Sequence, residues 1–440
     1  MKSPRGALAA LATALLLAGC GDTANLAIEQ GIGPQPQLPE PTRTLFPTVE
    51  IAEAVGWPQG ATPAAAQGLT VNAFATGLDH PRWLLVLPNG DVLVAESAAP
   101  PKPEGMEDDG GLRAMFMRMF MSDAGSAVPS ANRITLLRDA DGDGVAEVKT
   151  PFLTGLTSPI GMALVGDTLY VANADALVAF PYQAGATRID APPRMVTALP
   201  AGRNHHWTKT LAANADGSRL YVGVGSNSNV ANHGMAEEEG RAAVWEIDPA
   251  NGNHRIFASG LRNPVGLEFL PDTDQLYVVV NERDELGSDL VPDYLTRVQP
   301  GGFYGWPWSY YGRHVDTRVE PPRPDMVERA IVPDYALGNH VAPLGLTFSR
   351  DARLGPAFAS GAFIGLHGSW NRRPRSGYKV VFVPFAGGRP SGMPIDVLAG
   401  FVSDDGKAMG RPVGVQIARD GSLLVADDVG NAVWRVSAAR

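Results

Sequence analysis

Residues 260–282 read GLRNPVGLEFLPDTDQLYVVVNE, and this stretch decides the fold. Two segments of alternating apolar and other residues flank a turn at residues 271–274, which contains Pro and two Asp. Short alternating segments around such a turn are typical of an antiparallel hairpin, because Asp and Pro supply the local hydrogen bond and the fixed φ that a turn needs. A Gly-Leu pair and a Pro precede the hairpin, and an acidic residue ends it.

Five other stretches repeat this pattern with similar offsets of Gly, Pro and turn residues, the third of the six copies being the most divergent. The five are GLDHPRWLLVLPNGDVLVAE from Gly77, GLTSPIGMALVGDTLYVAN from Gly155, HWTKTLAANADGSRLYVGVG from His206, HVAPLGLTFSRDARLGPAFASGAFIGLHGSW from His340 and MGRPVGVQIARDGSLLVADD from Met409. The intervals leave room for two more strands in each unit. Six units of four strands predict an all-β fold, a six-bladed β-propeller with four-stranded antiparallel blades. A two-sheet sandwich is the alternative, but recurring Pro and Gly offsets favour the propeller.

Composition agrees with a turn-rich protein of short strands, since the chain has 50 Gly, 37 Pro and 45% hydrophobic residues. The formal net charge is -10 and the isoelectric point is near 5.3. A protein this acidic lacks the basic surface that nucleic-acid binding requires. We therefore expect no nucleic-acid partner, and we assign residues 68–440 to the propeller.

The N-terminus has the pattern of an exported bacterial lipoprotein. Basic residues at Lys2 and Arg5 precede an apolar run that ends in Leu17-Ala18-Gly19-Cys20. Residues 1–20 are thus predicted to be a signal peptide, with Cys20 as the lipidation site and a periplasmic, membrane-anchored location. A plain secretory signal with an incidental cysteine is the alternative. Residues 21–67 are rich in Pro and Ala, and we interpret them as a tether with some wrapping contacts.

The residues just before each repeated hairpin fall on one face of a propeller, around one opening. The corresponding position in the six copies gives Arg82, Pro159, His206, Arg262 with Asn263, Pro343, and Arg411. Neighbouring loops add Asn227, His367, Trp370, Asn371, Arg372 and Arg373. Guanidinium groups gathered at one opening repel one another unless an anion lies between them, and their forked donors suit carboxylate or phosphate oxygens. The pattern predicts a site for a multiply charged planar or sugar-like ligand.

These motifs, together with NERDELGSDLVPDYL, GGFYGWPWSYYG and HGSWNRRPRSGYK, make the chain resemble the glucose/sorbosone dehydrogenases over about residues 68–440. That family consists of six-bladed propellers that use pyrroloquinoline quinone and calcium. The resemblance implies that Arg, Lys and Asn side chains hold the three carboxylates of the quinone. It also implies that a histidine takes the hydroxyl proton of a sugar while hydride passes to C5 of the quinone.

Carried onto this sequence, the resemblance makes His206 the general base and His205 the weaker candidate. Arg262 matches the arginine that stabilises negative charge on the reduced quinone, and Asn263 beside it is a plausible amide donor. Calcium is expected at Arg283 and Asp284, although the chain lacks the Gly-Pro that soluble members carry there. The expected partners are a sugar substrate and an electron acceptor, either a cytochrome or a membrane quinone.

A second calcium candidate is DADGDG at residues 139–144, which imitates the first half of an EF-hand loop. Position twelve of that loop is Thr150 instead of a bidentate Glu, so the sequence favours a metal-free Asp-Gly hairpin.

Two stretches have no firm assignment. A Met-rich stretch at residues 111–121 suits either a packed helix or a partner contact. The aromatic loop at residues 303–311 suits either sugar stacking or ordinary packing.

Two other functions stay open from the sequence. Propellers of this kind also serve as calcium-dependent lactonases, which would need carboxylates instead of arginines on the axis. A non-catalytic binding propeller would be expected to have lost His206 or Arg262, and both are present.

Overall fold

The structure is a computed structural model that describes residues 21–42, 44, 48–103, 125 and 128–439. The predicted signal peptide, Cys20 and the Met-rich stretch lie outside these residues. Six sheets of at least four antiparallel strands form the described chain, with few helical residues. The predicted fold, an all-β propeller of six four-stranded blades, is confirmed.

Each blade contains four strands, numbered here from the axis outward. They are Pro81–Val86, Val92–Glu96, Arg133–Arg138 and Val148–Leu153 in blade 1; Gly161–Val165, Thr168–Ala172, Ala176–Pro181 and Arg194–Ala198 in blade 2; Lys209–Ala213, Leu220–Val224, Ala243–Ile247 and His254–Ser259 in blade 3. They are Asn263–Phe269, Leu276–Asn281, Pro292–Arg297 and Tyr335–Asn339 in blade 4; Pro343–Phe348, Gly361–Leu366, Lys379–Ala386 and Ile395–Ala399 in blade 5; Pro412–Ile417, Leu423–Asp427, Ala432–Ala438 and Leu69–Thr76 in blade 6.

Shorter elements decorate the ring. Ile32–Gly33 adds to the edge of blade 4, Ala64–Ala65 adds to the edge of blade 5, Arg389–Pro390 pairs with Lys379–Ala386, and Ser309–Tyr310 pairs with His314–Val315. The helical elements are Pro324–Arg329 (α) and Ile28–Gly31, Met235–Glu238 and Pro356–Phe358 (3-10). Among the described residues, none of these helices has the length and apolar character that crossing a membrane requires.

The ring closes by pairing the two ends of the propeller. Leu69–Thr76, the first long strand in the chain, is the outermost strand of blade 6. It pairs with Ala432–Ala438 from Leu69 opposite Ala438 to Thr76 opposite Ala432. Both ends of the chain therefore contribute to one blade, which ties the first and last blades together.

Six apolar clusters fill the six spaces between neighbouring blades. In blade 4, Val278 and Val280 pack toward blade 3, whereas Tyr277 and Val279 pack toward blade 5. Because side chains alternate along a strand, a run such as LYVVV buries both faces of the sheet at once. This explains why the second strands read as continuous apolar runs.

Glycines let the innermost strands approach one another around the axis. A Cβ on Gly266 would lie 2.8 Å from Leu346 Cβ, and one on Gly414 would lie 2.8 Å from the Arg82 carbonyl oxygen. A Cβ on Gly345 would collide with the Val413 carbonyl oxygen. The Pro-x-Gly order shared by several repeats thus has a steric cause at the centre of the ring.

An apolar plug closes the axis. It consists of Val265, Leu344 and Val413, with Trp83 packed against them. On one side of the plug lie the loops that precede the innermost strands. On the other side lies a cavity of about 1080 Å³, lined by the far ends of those strands. The candidate residues belong to the first side, called the mouth below.

Between its two edge strands, Ile32–Gly33 and Ala64–Ala65, and before the first of them, the described part of residues 21–67 contacts loops on the mouth side of the propeller. Asp22 accepts hydrogen bonds from the Ser288 backbone N–H at 3.0 Å, and the Ala24 N–H donates to the Arg373 carbonyl at 2.7 Å. Farther along, the Trp57 indole donates to Asp427 at 2.7 Å. The segment is therefore a docked strap over these loops.

Candidate functional site

Four predicted residues lie at the starts of innermost strands and therefore at the mouth. Arg82 is in blade 1, His206 precedes the first strand of blade 3, Arg262 precedes that of blade 4, and Arg411 precedes that of blade 6. They fall into two groups: one is centred on His206 and Arg262, and the other surrounds Asp428.

His206 is held from behind by the turn that follows the second strand of blade 3. Its Nδ1 lies 2.9 Å from the Ser226 carbonyl oxygen and 3.0 Å from Ser226 Oγ. Burial, reinforced by the positive charge of Arg262, keeps the pKa of His206 well below its ordinary value of 6.5. The imidazole is therefore neutral at neutral pH and able to accept a proton.

Gly225 makes room for this histidine. A Cβ at Gly225 would collide with His206 Cβ on one side and with Asn263 Oδ1 on the other. Asn263 Oδ1 is buried and accepts no hydrogen bond from the described residues. The two predicted residues from blades 3 and 4 therefore meet over a glycine, with one amide oxygen left for a ligand.

Arg262 is almost fully buried and forms the centre of a polar network. Its Nη2 lies 2.7 Å from Asp284 Oδ2, and its Nη1 donates to the Glu282 carbonyl at 2.8 Å. Asn371, from blade 5, donates to the other oxygen of Asp284 at 2.8 Å. The structure therefore brings the predicted residues Arg262, Asp284 and Asn371 together in one network.

Asn227, predicted to bind the cofactor, is hydrogen-bonded to two neighbouring loops. Its backbone N–H donates to Glu238 Oε2 at 2.6 Å, its side-chain amide donates to the Glu237 carbonyl at 3.3 Å, and its Oδ1 accepts the His205 N–H at 3.3 Å. The side chain thus joins its own loop to the one that carries His205 and His206.

The second group surrounds Asp428, a buried carboxylate that the sequence interpretation missed. Asp428 Oδ2 accepts hydrogen bonds from Arg82 and from His367 Nε2, the latter at 2.9 Å. His80 Nε2 lies 3.6 Å from the same oxygen. Burial opposes ionisation of Asp428, but the charges of His367, His80 and Arg82 outweigh it and hold its pKa well below the usual range. The one available signal was the acidic end of the last repeat, VADD.

Arg411 and Trp370 contact the strap. Arg411 Nη2 donates to the Ala52 carbonyl at 3.2 Å, and its guanidinium lies 5.2 Å from the centre of the Tyr378 ring. The Arg411 Nε is buried and has no hydrogen-bond partner among the described residues. Trp370 is half-buried, and its carbonyl accepts the Glu50 N–H at 2.8 Å. The Nε–H of Arg411 is therefore a hydrogen-bond donor that no described residue uses.

Arg372 and Arg373 are not brought into either group. Arg372 Nε donates to the Ser288 carbonyl at 3.1 Å, and its Nη1 donates to the Pro374 carbonyl at 2.7 Å. Arg373 pairs with Glu50 of the strap at 2.9 Å. Arg372 therefore ties the blade 5 loop to Ser288 of blade 4, and Arg373 ties it to the strap.

The predicted calcium position is crowded by cations. Arg283 Nη1 lies 2.6 Å from Asp316 Oδ2, and both side chains are 1% exposed. The Asp284 carbonyl accepts a hydrogen bond from Arg283 Nη2 at 2.8 Å, while its carboxylate is engaged by Arg262 and Asn371. Calcium requires six to eight oxygen ligands free of competing donors, and this arrangement does not fit one.

The other calcium candidate lies in blade 1, at the end of the blade away from the mouth. Carboxylate oxygens of Asp139, Asp141, Asp143 and Glu147 come within 4.8 Å of one another. Backbone N–H groups of the same loop already donate to all four carboxylates. These bonds order the loop, and the four carboxylates are close enough to one another to be a candidate metal site.

Two further features bear on the site. Lys209 is fully buried, and its Nζ donates to Asn204 Oδ1 and the Trp207 carbonyl, each at 3.1 Å. Burial keeps the pKa of Lys209 well below 10.5.

In the aromatic loop, Phe303, Trp306 and Tyr310 are buried, so these rings pack within the fold.

Comparison with known proteins identifies relatives. A sequence model described as TrAA12-like matches residues 119–301 and 326–439. A curated pyrroloquinoline quinone-dependent pyranose dehydrogenase from Coprinopsis cinerea is 28% identical over 237 residues, covering 42% of this chain and 31% of that protein. An uncharacterized protein from Borreliella burgdorferi is 30% identical over 233 residues, covering 52% of this chain and 60% of that protein. The chain thus spans less than two thirds of these curated relatives.

Solved structures share the fold. The family AA12 carbohydrate-active enzyme from Trichoderma reesei superposes with a TM-score of 0.69 at 19% identity, covering 90% of this chain and 100% of that one. The holo pyrroloquinoline quinone domain of the Coprinopsis cinerea pyranose dehydrogenase gives a TM-score of 0.65 at 19% identity, covering 88% and 100%. Since the family model matches well over half of the sequence, this chain belongs to the TrAA12-like family.

Proposed function

We propose that this chain is a quinoprotein sugar dehydrogenase, with pyrroloquinoline quinone bound at the mouth. The observation that carries the proposal is a neutral histidine, His206, beside the buried Arg262, at an opening rich in arginine. The named relative among the curated proteins is a pyrroloquinoline quinone-dependent pyranose dehydrogenase, which supports the same cofactor and substrate class.

The residues at the mouth fit an anionic planar cofactor. Arg262 pairs there with Asp284 and Arg82 pairs with Asp428, while a guanidinium nitrogen of Arg411 donates to the Ala52 carbonyl. The Nε atoms of Arg82 and Arg411 are buried and lack hydrogen-bond partners among the described residues. Buried unpaired donors are costly, so a ligand that brings carboxylates would satisfy them. Arg82 and Arg411 would hold those carboxylates.

Bound pyrroloquinoline quinone would supply the acceptor for the hydride that leaves the sugar carbon. His206 accepts the proton of the sugar hydroxyl at Nε2, because its Nδ1 faces Ser226. Arg262 presents a fixed positive charge beside that position, which favours negative charge developing on a bound ligand. Asn263 Oδ1, which lies over Gly225, is buried and has no hydrogen-bond partner among the described residues, so it is an acceptor open to a ligand.

The sequence resemblance implies a calcium ion, but we assign it no role in the proposed reaction. The groups at Arg283 and Asp284 are bonded to one another and to neighbouring guanidinium groups. In the lactonase alternative, carboxylates on the axis would hold the metal. Here Asp284 and Asp428, two carboxylates at the mouth, are paired with arginine.

We further propose an exported, periplasmic protein that is anchored to a membrane through a lipid on Cys20. The basic start, the apolar run and the small residues before Cys20 support this location. A sugar is the proposed substrate, and a cytochrome or membrane quinone is the proposed electron acceptor.

The proposal is tested with protein that lacks residues 1–20. A ligand that binds only the folded state raises the unfolding midpoint, so pyrroloquinoline quinone should raise Tm in a concentration-dependent way. Dye reduction across a panel of aldoses should then depend on added quinone. No change of Tm at saturating quinone would overturn the proposal. A rise in Tm without dye reduction by any sugar would retain the cofactor and overturn the substrate class.

A further inference from the structure

The hydrogen-bond partners of His206 Nδ1 determine which ring nitrogen carries the hydrogen. Nδ1 lies 2.9 Å from the carbonyl oxygen of Ser226, and a carbonyl can only accept a hydrogen bond. Nδ1 must therefore carry a hydrogen. In the neutral ring, Nε2 then has the free lone pair.

The hydroxyl of Ser226 makes the same demand. It lies 3.0 Å from His206 Nδ1, and it donates its own hydrogen to the Ser228 carbonyl at 2.7 Å. With that hydrogen committed, Ser226 Oγ offers Nδ1 a lone pair. Both oxygens of Ser226 are thus acceptors toward the histidine. No described residue bonds to Nε2, and the ring is half-buried at the mouth.

The turn that carries Ser226 is clamped by a buried carboxylate. Glu238 Oε2 accepts the Asn227 backbone N–H at 2.6 Å, and its Oε1 accepts the Ser228 hydroxyl at 2.7 Å. Glu238 is 5% exposed. One side chain therefore bonds to both residues that follow Ser226.

Other bonds tie the turn to its neighbours. The Ser226 N–H donates to the Arg262 carbonyl at 2.8 Å, and the His206 N–H lies 3.3 Å from the Ser226 carbonyl. The turn thus sits between the histidine and the arginine, and a shift of the turn would move the acceptors that face Nδ1.

We infer that Ser226 and Glu238 are positioning residues: Ser226 fixes His206 as the Nδ1–H tautomer, and Glu238 holds Ser226 in place. Only that tautomer leaves Nε2 able to take a proton at the mouth. The catalytic consequence rests on the proposed function, whereas the tautomer itself does not.

The test is nitrogen NMR of the protein labelled with 15N-histidine, without cofactor, with His206 assigned by a His206→Gln variant. Unprotonated and protonated ring nitrogens of a neutral histidine resonate far apart. We expect an unprotonated Nε2 and a protonated Nδ1 in the wild-type protein. In Ser226→Ala and Glu238→Gln, the two nitrogens should move toward averaged values, because one acceptor is lost or the clamp is broken. Glu239→Gln, an exposed neighbour with the same change of charge, should match the wild type.

A protonated Nε2 in the wild-type protein would overturn the inference, and so would unchanged nitrogens in both variants. If Glu238→Gln does not fold, the wild-type spectrum decides the tautomer and Ser226→Ala tests the hydroxyl alone, because the Ser226 carbonyl remains as an acceptor. With quinone and sugar, either variant should lower kcat about tenfold with little change in KM, the loss expected for about one hydrogen bond. Absence of wild-type dye reduction would reject the proposed function and leave the tautomer result standing.

Discussion

At His206, burial and the charge of Arg262 both disfavour the protonated ring, with burial as the larger cause. The imidazole is therefore unprotonated at neutral pH, and if it is the proposed base the acid limb of kcat/KM should lie well below pH 6.5. In His367, burial lowers the pKa to about 4, Asp428 opposes the shift, and Arg411 and Arg82 reinforce it. Two histidines at one mouth are thus kept neutral by their surroundings.

Removing the Arg262 charge should raise the pKa of His206, because protonation no longer meets a nearby cation. We expect the acid limb of kcat/KM in Arg262→Met to move to higher pH, alongside a loss of activity. Arg188→Met removes an exposed arginine of blade 2 and should leave the limb in place. A limb that stays fixed in Arg262→Met would show that this charge does not reach the base.

The lowered pKa of His367 should make the free energy of unfolding depend on pH. Between pH 6.5 and about 4, His367 is protonated in the unfolded chain but remains neutral in the folded chain. The free energy of unfolding therefore falls as the pH falls through this window. Urea unfolding at pH 7 and pH 5 should show a smaller difference in His367→Gln than in the wild type. His233→Gln, at an exposed loop histidine, should keep the wild-type difference.

Asp428 should be important for stability, because it balances Arg82 in a buried position. Removing one partner of a buried ion pair typically costs about 3–5 kcal/mol. We expect Asp428→Asn to lower the free energy of unfolding by about 3 kcal/mol in urea titrations. Arg82→Met combined with Asp428→Asn should recover part of that loss. A single Asp428→Asn variant as stable as the wild type would mean that Arg82 is solvated or paired elsewhere.

At the scale of strands, the recurring Pro-x-Gly order marks where the innermost strands meet. The second strands bury both faces, and the first strands leave no space for a side chain at Gly266, Gly345 and Gly414. The repeated sequence pattern thus indicates each hairpin and also the strand of that hairpin that lies nearest the axis.

These glycines should rank by the collision that a methyl group would make. Gly345→Ala places a Cβ against the Val413 carbonyl oxygen, closer than the nearest atoms at Gly266 or Gly414. Overpacking typically costs about 1–3 kcal/mol, so Gly345→Ala should lower Tm most among the three alanine variants. Equal midpoints for the three variants would contradict this account of the axis.

The sequence predicted the blades because each hairpin is local and repeated six times. It also singled out Arg262, Asp284 and Asn371, which lie in motifs with strong resemblance, but it expected Asp284 to bind calcium and did not predict the hydrogen bonds that join the three. Asp428 was missed because its partners Arg82 and His367 come from other blades, and only ring closure brings them together. Arg372 and Arg373 were assigned to the mouth from sequence proximity, but Arg372 bonds to the Ser288 carbonyl and Arg373 pairs with Glu50 of the strap.

At the scale of the molecule, the chain closes through Leu69–Thr76 and then covers part of the mouth with residues that precede this strand. Ala52 of the strap is fully buried, and its carbonyl accepts a hydrogen bond from Arg411. The strap therefore belongs to the environment of the site as well as to the surface.

Two truncations should separate these roles. Protein that begins at residue 68 keeps the closing strand, and we expect one cooperative thermal transition with weaker binding of pyrroloquinoline quinone. Protein that begins at residue 77 lacks the closing strand, and we expect loss of cooperative unfolding by circular dichroism. If both truncations unfold alike, ring closure through Leu69–Thr76 is not what holds the propeller together.

The central claim is that the mouth oxidises sugars on a bound quinone with His206 as the base. The most direct measurement is a single turnover in a stopped-flow spectrometer, with protein, stoichiometric pyrroloquinoline quinone and excess aldose, in the absence of dye. We predict reduction of the bound quinone by the wild-type protein, and at least about a hundredfold slower reduction in His206→Asn with quinone affinity retained. Equal rates in the two proteins would contradict the role of His206. A quinone that binds but is reduced by no sugar would contradict the claim as a whole.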